Sequence, residues 1–257
     1  MKQERLLVAV AHPDDETFGC GSLIAHAAHL GVRSVVVCAT RGEAGSAAAG
    51  SGVTDDQLAQ ARETELLTAA GLLGVDEVVL FDWLDSGMDG DPVDRALVAS
   101  PLDDVADAVG AVIDEFEPTV IVTLDGSDGH RDHTHMRDAT VIAATRRALP
   151  DARVYLHCLP QRLMRQWVEE LNRQQPDSEH LSLGDLGTPD HEITTVIDTT
   201  EHLELRERAI SAHRSQTSPY EVMPAELRHS FLSTEYLRRI VPTWVGGPTE
   251  MTIFATD

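Results

Sequence analysis

The chain has 257 residues and is strongly acidic, with 43 Asp and Glu residues against 20 Lys and Arg and a formal net charge of −23. A surface with this charge repels phosphate backbones and anionic lipids, which argues against nucleic acid and membranes as partners. Only six apolar residues follow the charged start, and no apolar run is long enough to span a membrane, so we expect a cytoplasmic protein without a secretory signal.

Strands and helices alternate over the first 160 residues. The apolar, β-branched runs 6–10, 34–39, 76–81, 119–124 and 152–158 are typical of buried strands in a parallel sheet. This alternation predicts an α/β fold, a Rossmann-like, doubly wound, mainly parallel sheet with strand order 3-2-1-4-5. We expect a single domain over 1–257, with a core at about 5–160 and a variable part at about 161–257.

The helices are predicted from apolar residues at helical spacing. In the core they fall at 17–30, 54–73 and two segments that end near 116 and 148. Two histidines of the first helix, His26 and His29, are interpreted as surface or packing residues. Cys20, Cys38 and Cys158 lie in apolar contexts and are interpreted as buried thiols.

The pattern is weaker after Pro160. We expect a helix at 162–171, an irregular polar insertion at 174–190, a strand at 192–197 and a helix at 201–214. Helical or loop material is expected at 223–239, and a strand at 252–254 is expected to close the edge of the sheet.

The motif Ala-His-Pro-Asp-Asp-Glu follows the first strand directly, at 11–16. Because Pro13 biases His12 toward extended geometry, the strand ends there and a new element starts near Asp14 or Asp15. His12 and Asp15 can then converge on one point while Asp14 projects separately, which suits two metal ligands and an unligated carboxylate. Helix capping by either aspartate is the simpler alternative, but it does not account for the histidine.

A second cluster of chemically active residues, at 125–135, follows the fourth strand. In the predicted strand order, strands one and four are neighbours where the order reverses, so both clusters should meet at one crevice. His12, Asp15 and His133 would supply an N,N,O zinc site with an open position for water. His130 would lie near the metal without binding it, oriented by Asp132 through a ring N–H hydrogen bond. For this loop alone, solvated histidines are the simpler alternative.

These jointly spaced segments resemble the LmbE/PIG-L family, the zinc-dependent N-acetylglucosaminyl deacetylases and related amidases. That family carries A-H-P-D-D-E after its first strand and H-x-D-H after its fourth. The chain matches it further at 40–43, 62–74, 85–88 and 212–216, and the resemblance covers about 5–216.

The resemblance implies a metal cofactor and its ligands. It implies Zn²⁺, with Fe²⁺ as the alternative, bound by His12, Asp15 and His133. It also implies that Asp14 is the general base for a metal-bound water that attacks the amide.

Other site residues are implied by the same resemblance. His130, braced by Asp132, would stabilise or protonate the developing products. Arg62 and Asp85 match positions that contact substrate hydroxyls, for which a helix-surface ion pair and a turn cap are the simpler interpretations. Some members have a tyrosine where Asp128 stands in this chain.

The expected function is hydrolytic removal of an N-acyl group, in the first place acetyl, from an amino sugar or small glycoside. Within the family, the alternatives are an amidase for mycothiol S-conjugates and a deacetylase for a sugar on a natural-product scaffold. From another class, the alternative is a non-catalytic, Mg²⁺-dependent, Rossmann-like nucleotide binder, which would need a glycine-rich turn directly after strand one that the sequence lacks. The expected partner is a small-molecule substrate, and a homo-oligomer is left open.

Overall fold

The computed structural model describes residues 3–147, 149, 152–174, 185–221 and 223–255. Among these residues, seven strands form one sheet in the order β3-β2-β1-β4-β5-β7-β6. The first five strands are parallel, and β7 is antiparallel to both of its neighbours. The predicted order 3-2-1-4-5 is confirmed. The strands are β1 (Arg5–Val10), β2 (Arg33–Cys38), β3 (Glu77–Leu80), β4 (Val120–Leu124), β5 (Arg153–His157), β6 (Thr195–Asp198) and β7 (Thr234–Val241).

Helices cover both faces of the sheet. The central strands are apolar on both sides, as a covered parallel sheet requires: Leu6 and Val8 of β1 face one core, and Leu7 and Ala9 face the other. No helix in the described residues is long and apolar enough to cross a membrane. The helices are α1 (Asp15–Phe18), α2 (Gly21–His29), α3 (Leu58–Leu73), α4 (Leu102–Phe116), α5 (Arg131–Arg147), α6 (Gln161–Gln174), α7 (Leu203–Ile210) and α8 (Ala225–Leu232).

The helix predicted at 17–30 is in fact two helices, α1 and α2. The cause is a buried arginine from the carboxyl-terminal part of the chain. Arg206 of α7 donates hydrogen bonds from its guanidinium group to the backbone oxygens of Thr17, Phe18 and Gly19. Since these carbonyls are at the end of α1, the side chain satisfies a helix terminus that would otherwise be buried without partners.

The expectation of helical or loop material at 223–239 is confirmed for α8 and wrong from Thr234 onward. After α8, the chain enters β7, which lies between β5 and β6. The strand escapes a pattern search because Glu235, a charged residue, occupies a fully buried position in it. Glu235 pairs there with Arg206, Nη1 to Oε1 at 3.2 Å, and with His157, Nε2 to Oε2 at 2.9 Å.

The remaining predictions after Pro160 have mixed outcomes. The prediction of an edge strand at 252–254 is wrong. Ile253 and Phe254 lie in a bent segment and are buried in the core. The edges of the sheet are β3 and β6. The helix predicted at 201–214 is shorter in the structure, where it is α7 (Leu203–Ile210). Most of the insertion at 174–190 falls on residues 175–184, outside the described residues. All three cysteines are free and buried, as predicted.

We expect Arg206→Ala to lower the free energy of unfolding by about 3–5 kcal/mol, because it leaves the buried Glu235 carboxylate without its main counter-charge. Urea denaturation monitored by circular dichroism measures this change. Arg146→Ala removes an exposed ion pair with Asp103 and is the matched control, expected to change stability by no more than about 0.5 kcal/mol. Equal effects of the two substitutions would contradict the role given to Arg206.

Candidate active site

The two predicted clusters meet at one edge of the sheet. β1 and β4 are paired, with Ala9 opposite Thr123, so the segments that follow them leave the sheet side by side. His12 and His133 are 121 residues apart in sequence, and their ring nitrogens Nδ1 and Nε2 lie 3.2 Å apart. The prediction that distant segments share one crevice is confirmed.

The two histidines have their outer nitrogens held by carboxylates. His12 donates from Nε2 to Asp132 Oδ2 at 3.1 Å, and Asp85 Oδ1 lies 3.4 Å from the same nitrogen. His133 donates from Nδ1 to Asp128 Oδ2 at 2.5 Å. Because a carboxylate can only accept, these bonds fix the protons on the outer nitrogens and turn the inner lone pairs toward each other.

Asp15 completes the convergence. Its Oδ2 accepts the backbone N–H groups of His12 at 2.9 Å and Ala11 at 3.2 Å, which fixes the carboxylate at the start of α1. Its Oδ1 lies 3.2 Å from Nε2 of His133. Three side chains thus direct two imidazole nitrogens and one carboxylate oxygen at a common point.

This donor set fits a divalent metal ion. Two imidazole nitrogens 3.2 Å apart share either a proton or a metal ion, so a divalent ion can take the place of a proton here. Zinc bonds of about 2.0–2.1 Å in a tetrahedron place neighbouring ligand atoms about 3.3 Å apart, close to the separations seen in this cluster. The outer carboxylates supply the hydrogen bonds that metal-binding histidines usually have.

The charges of the cluster shift its pKa values strongly. Burial would lower the pKa of His133, but the carboxylates of Asp15 and Asp128 outweigh it and raise that pKa to about 10. Burial likewise would raise the pKa of Asp15, but the charge of His133 and hydrogen bonds from both histidines hold it well below its usual value. An incoming metal ion would therefore displace a proton, so its affinity depends on pH.

Asp14 stands apart from this set. Its backbone has φ of 126°, in a region that residues other than glycine rarely adopt. Its N–H donates to Glu16 Oε2 at 2.9 Å, and the side chain lines the same cavity as Asp15 and His133. Burial, and next the negative charge of Asp15, raise the pKa of Asp14 to about 7.

His130 lies beside both histidines, with ring centroids 4.5 Å from His12 and 4.9 Å from His133. Its Nδ1 accepts the backbone N–H of Asp132 at 3.2 Å, which leaves Nε2 as the protonated nitrogen of the neutral ring. Burial, and next the charges of His12 and His133, lower the pKa of His130 to about 4. The ring is therefore a neutral N–H donor near pH 7.

The prediction that the Asp132 carboxylate orients His130 is wrong. That carboxylate accepts from His12 and from the backbone N–H of Ser86, and only the Asp132 backbone contacts His130. The sequence alone could not show whether the Asp132 carboxylate contacts the imidazole of His12 or that of His130. It also missed Asp128 as the partner of His133, although a carboxylate in the same loop was a visible signal.

Arg62 and Asp85 both lie close to the cluster. The guanidinium of Arg62 is buried and donates from Nη1 to the backbone oxygen of Gly42 at 2.6 Å, so the surface ion pair considered for it is wrong. Asp85 caps its turn, accepting the N–H of Gly87 at 2.8 Å, and also faces His12. The charge of His12 helps to hold the pKa of Asp85 below its usual value, against burial.

The carboxyl-terminal part of the chain braces the motif. His213 Nε2 lies 2.9 Å from Glu16 Oε1, with both side chains fully buried. The Gln216 amide donates to the backbone oxygen of Pro13 at 2.7 Å. These contacts fix the turn that carries Asp14.

An apolar cavity of about 350 Å³ opens onto the cluster. Asp14, Asp15, His130 and His133 line one end of it. The rest of its lining is largely aromatic and aliphatic, and includes Phe18, Leu159, Met164, Trp167, Tyr220, Met223 and Phe231.

A doubly wound α/β sheet with a His/Asp cluster and a separate carboxylate at the reversal of strand order has the architecture of a metal-dependent hydrolase. The chain belongs to the PIG-L (LmbE-like) family. Residues 7–144 match the PIG-L family model, described as GlcNAc-PI de-N-acetylase.

Named relatives agree with this assignment. The 1D-myo-inositol 2-acetamido-2-deoxy-alpha-D-glucopyranoside deacetylase 1 of Saccharopolyspora erythraea is 35% identical over 242 residues, which cover 82% of this chain and 77% of that protein. Since such relatives are deacetylases, and so amide hydrolases, the nucleotide-binder alternative is not supported.

Solved structures share the fold at lower identity. N,N'-diacetylchitobiose deacetylase from Pyrococcus horikoshii is 18% identical with a TM-score of 0.59, covering 93% of this chain and 84% of its own. A deacetylase of the teicoplanin biosynthesis pathway is 20% identical with a TM-score of 0.64, covering 91% and 97%.

We expect the stability of the metal-free protein to depend on the protonation of Asp14. Because folding raises this pKa from 3.8 to about 7, the contribution of the protonated carboxyl is fully present below pH 3.8 and is lost as the pH rises through about 7. The wild-type free energy of unfolding should therefore fall relative to that of Asp14→Asn over this range. Urea unfolding in EDTA at several pH values measures the difference.

Asp91→Asn, at an exposed position, is the control for this pH series. A difference between wild type and Asp14→Asn that stays constant from pH 3.8 to 7 would show that folding does not raise the pKa of Asp14.

Proposed function

We propose that the protein is a zinc-dependent deacetylase that hydrolyses the N-acyl group, in the first place acetyl, of an amino sugar derivative. The observation that carries this is the convergence of His12 Nδ1, His133 Nε2 and Asp15 Oδ1 at the end of a substrate-sized cavity. The names of the relatives support the reaction, since they are deacetylases of acetylated sugar derivatives.

In this proposal His12, Asp15 and His133 hold the metal. Imidazole and carboxylate ligands suit Zn²⁺, and Fe²⁺ remains the alternative. When bound, the ion supplies Lewis acidity toward the amide carbonyl and lowers the pKa of a water molecule. Asp128, Asp132 and the two backbone N–H groups bonded to Asp15 keep the ligand atoms oriented.

Asp14 is the general base. Its carboxylate lines the cavity beside the ligands and is not one of the three. An unligated carboxylate at this place can accept a proton from water and pass that proton on to the departing amine. The positive charges of His213, His12 and Arg62, in that order, keep the pKa of Asp14 in the metal-free structure from rising further.

His130 stabilises negative charge on the carbonyl oxygen through its Nε2–H. Because its Nδ1 accepts the backbone N–H of Asp132, the neutral ring carries its proton on Nε2, so we assign it hydrogen-bond donation and give the proton transfer to Asp14. Of the two roles implied by the family resemblance, stabilising or protonating the products, the structure favours the first.

The proposal changes the role expected for Asp85 and keeps that of Arg62. Asp85 is occupied by the N–H of Gly87 and by His12, so it orients the metal ligand. Arg62 is buried and is not among the residues that line the cavity, so its contact with a substrate hydroxyl stays a prediction.

The lining of the cavity favours a substrate with an apolar substituent. The apolar side chains that line the rest of the cavity offer sugar hydroxyls no hydrogen bonds, so burying hydroxyls there costs free energy. An alkyl or aryl group on the glycoside, or a longer acyl chain, would be buried there. Among the family functions, this supports deacetylation of a sugar on an apolar natural-product scaffold.

We expect Asp14→Asn to retain its metal and to lose about 10²–10⁴-fold in kcat, because it removes the proton acceptor and leaves the ligands in place. His133→Ala is the matched comparison and should lose metal and activity together. Elemental analysis and acetate release from the inositol glycoside named for the relatives measure both quantities. Wild-type turnover by Asp14→Asn would remove this residue as the base.

We expect an octyl glycoside of N-acetylglucosamine to be hydrolysed with a kcat/KM at least about tenfold above that of the inositol glycoside, which corresponds to burial of two methylene groups. Met223→Trp fills the cavity from a half-buried position and should abolish this preference while activity on the inositol glycoside remains. Met251→Trp, at an exposed site outside the cavity, is the control. A wild-type preference for the inositol glycoside would contradict the apolar substrate.

A further inference from the structure

A second group of possible metal ligands lies outside the active site. His26 and His29 are one turn apart on α2, and this helix packs against the 3-10 segment Thr200–His202, which contributes Glu201 and His202. None of these four residues lines the active-site cavity. Their positions are unexplained by the proposed function.

The ligand atoms of His26, Glu201 and His202 all lie within 4.8 Å of one another, close enough to share one metal ion. His26 Nδ1 lies 3.2 Å from His202 Nε2, and Glu201 Oε1 lies 3.5 Å from the same nitrogen. The expected separation around zinc is about 3.3 Å. In the active site, the corresponding nitrogens of His12 and His133 are also 3.2 Å apart.

The ring positions agree with this interpretation. The ring centroids of His26 and His202 are 5.3 Å apart, and those of His29 and His202 are 5.5 Å apart. The centroids of His12 and His133 are 5.2 Å apart, so the second group reproduces the geometry of the first. His29 lies next to this group, but of the four residues only His26, Glu201 and His202 have ligand atoms that all lie within 4.8 Å of one another.

The electrostatics also suit a cation. Burial lowers the pKa values of His26 and His202, so both rings are neutral near pH 7 and have a lone pair to offer. Glu201 and His29 are exposed and give an ion access from solvent. The chain's charge of −23 raises the local concentration of cations.

A hydrogen bond between the two imidazoles is the competing explanation. It accounts for the separation of 3.2 Å between His26 and His202, but not for Glu201 and His29 at the same place. We propose that His26, His202 and Glu201 form a second site for Zn²⁺ or another late first-row divalent ion, which links α2 to the segment before α7.

The test is the number of zinc ions bound per chain after removal of metal and titration with Zn²⁺. The wild type should bind two, and His202→Ala should bind one with deacetylase activity unchanged. His133→Ala should also bind one, without activity, and the double variant none. His229→Ala, at an exposed site outside the group, is the control and should bind as wild type does.

A second measurement covers the case in which His202→Ala folds poorly. In the His133→Ala background, free Zn²⁺ at about a hundredfold excess over its dissociation constant should raise Tm by roughly 5 to 10 °C. Glu201→Ala, which removes the exposed member of the group, should weaken this effect. A second zinc ion that persists in His202→Ala, or no zinc bound and no Tm shift in His133→Ala, would overturn the proposal without bearing on the active site.

Discussion

The pairing of β1 with β4 is the constraint on which the rest of the active site depends. Parallel neighbours end at the same edge of the sheet, so whatever follows the two strands must share one crevice. His12 and Asp15 leave the first strand, and His133 begins the helix after the fourth. Because both segments start from buried central strands, their side chains can be held at separations near 3.2 Å, the precision that a metal centre needs.

The carboxyl-terminal part of the chain holds this crevice in place. Arg206 satisfies the end of α1, and its charge is balanced by Glu235 of β7. His213 and Gln216 hold the other side of the motif through Glu16 and the Pro13 backbone. Each contact places a charge or an amide in the interior, where it is stable only when fully paired. The fold of the last hundred residues is therefore tied to the geometry of the first twenty.

The sequence was sufficient to predict the parallel core and the meeting of the two motifs, since apolar strands and a proline-bounded turn are local signals. It was insufficient for β7, because the interior charge at Glu235 interrupts the strand pattern and is explained only by a distant arginine. The partner of Asp132 depended on which of two imidazoles lies nearer, and the approach of His26 to His202 depends on how α2 packs. Such contacts are properties of the tertiary structure.

The backbone at Asp14 has a consequence for how this chain can change. A φ of 126° costs a residue with a side chain about 1–3 kcal/mol, and glycine would relieve most of it. Selection for thermal resistance alone would thus favour Asp14→Gly, which discards the carboxylate. At this position, thermal stability and catalytic activity make opposite demands. Substitutions that stabilise the protein and keep its activity therefore have to be sought elsewhere in the molecule.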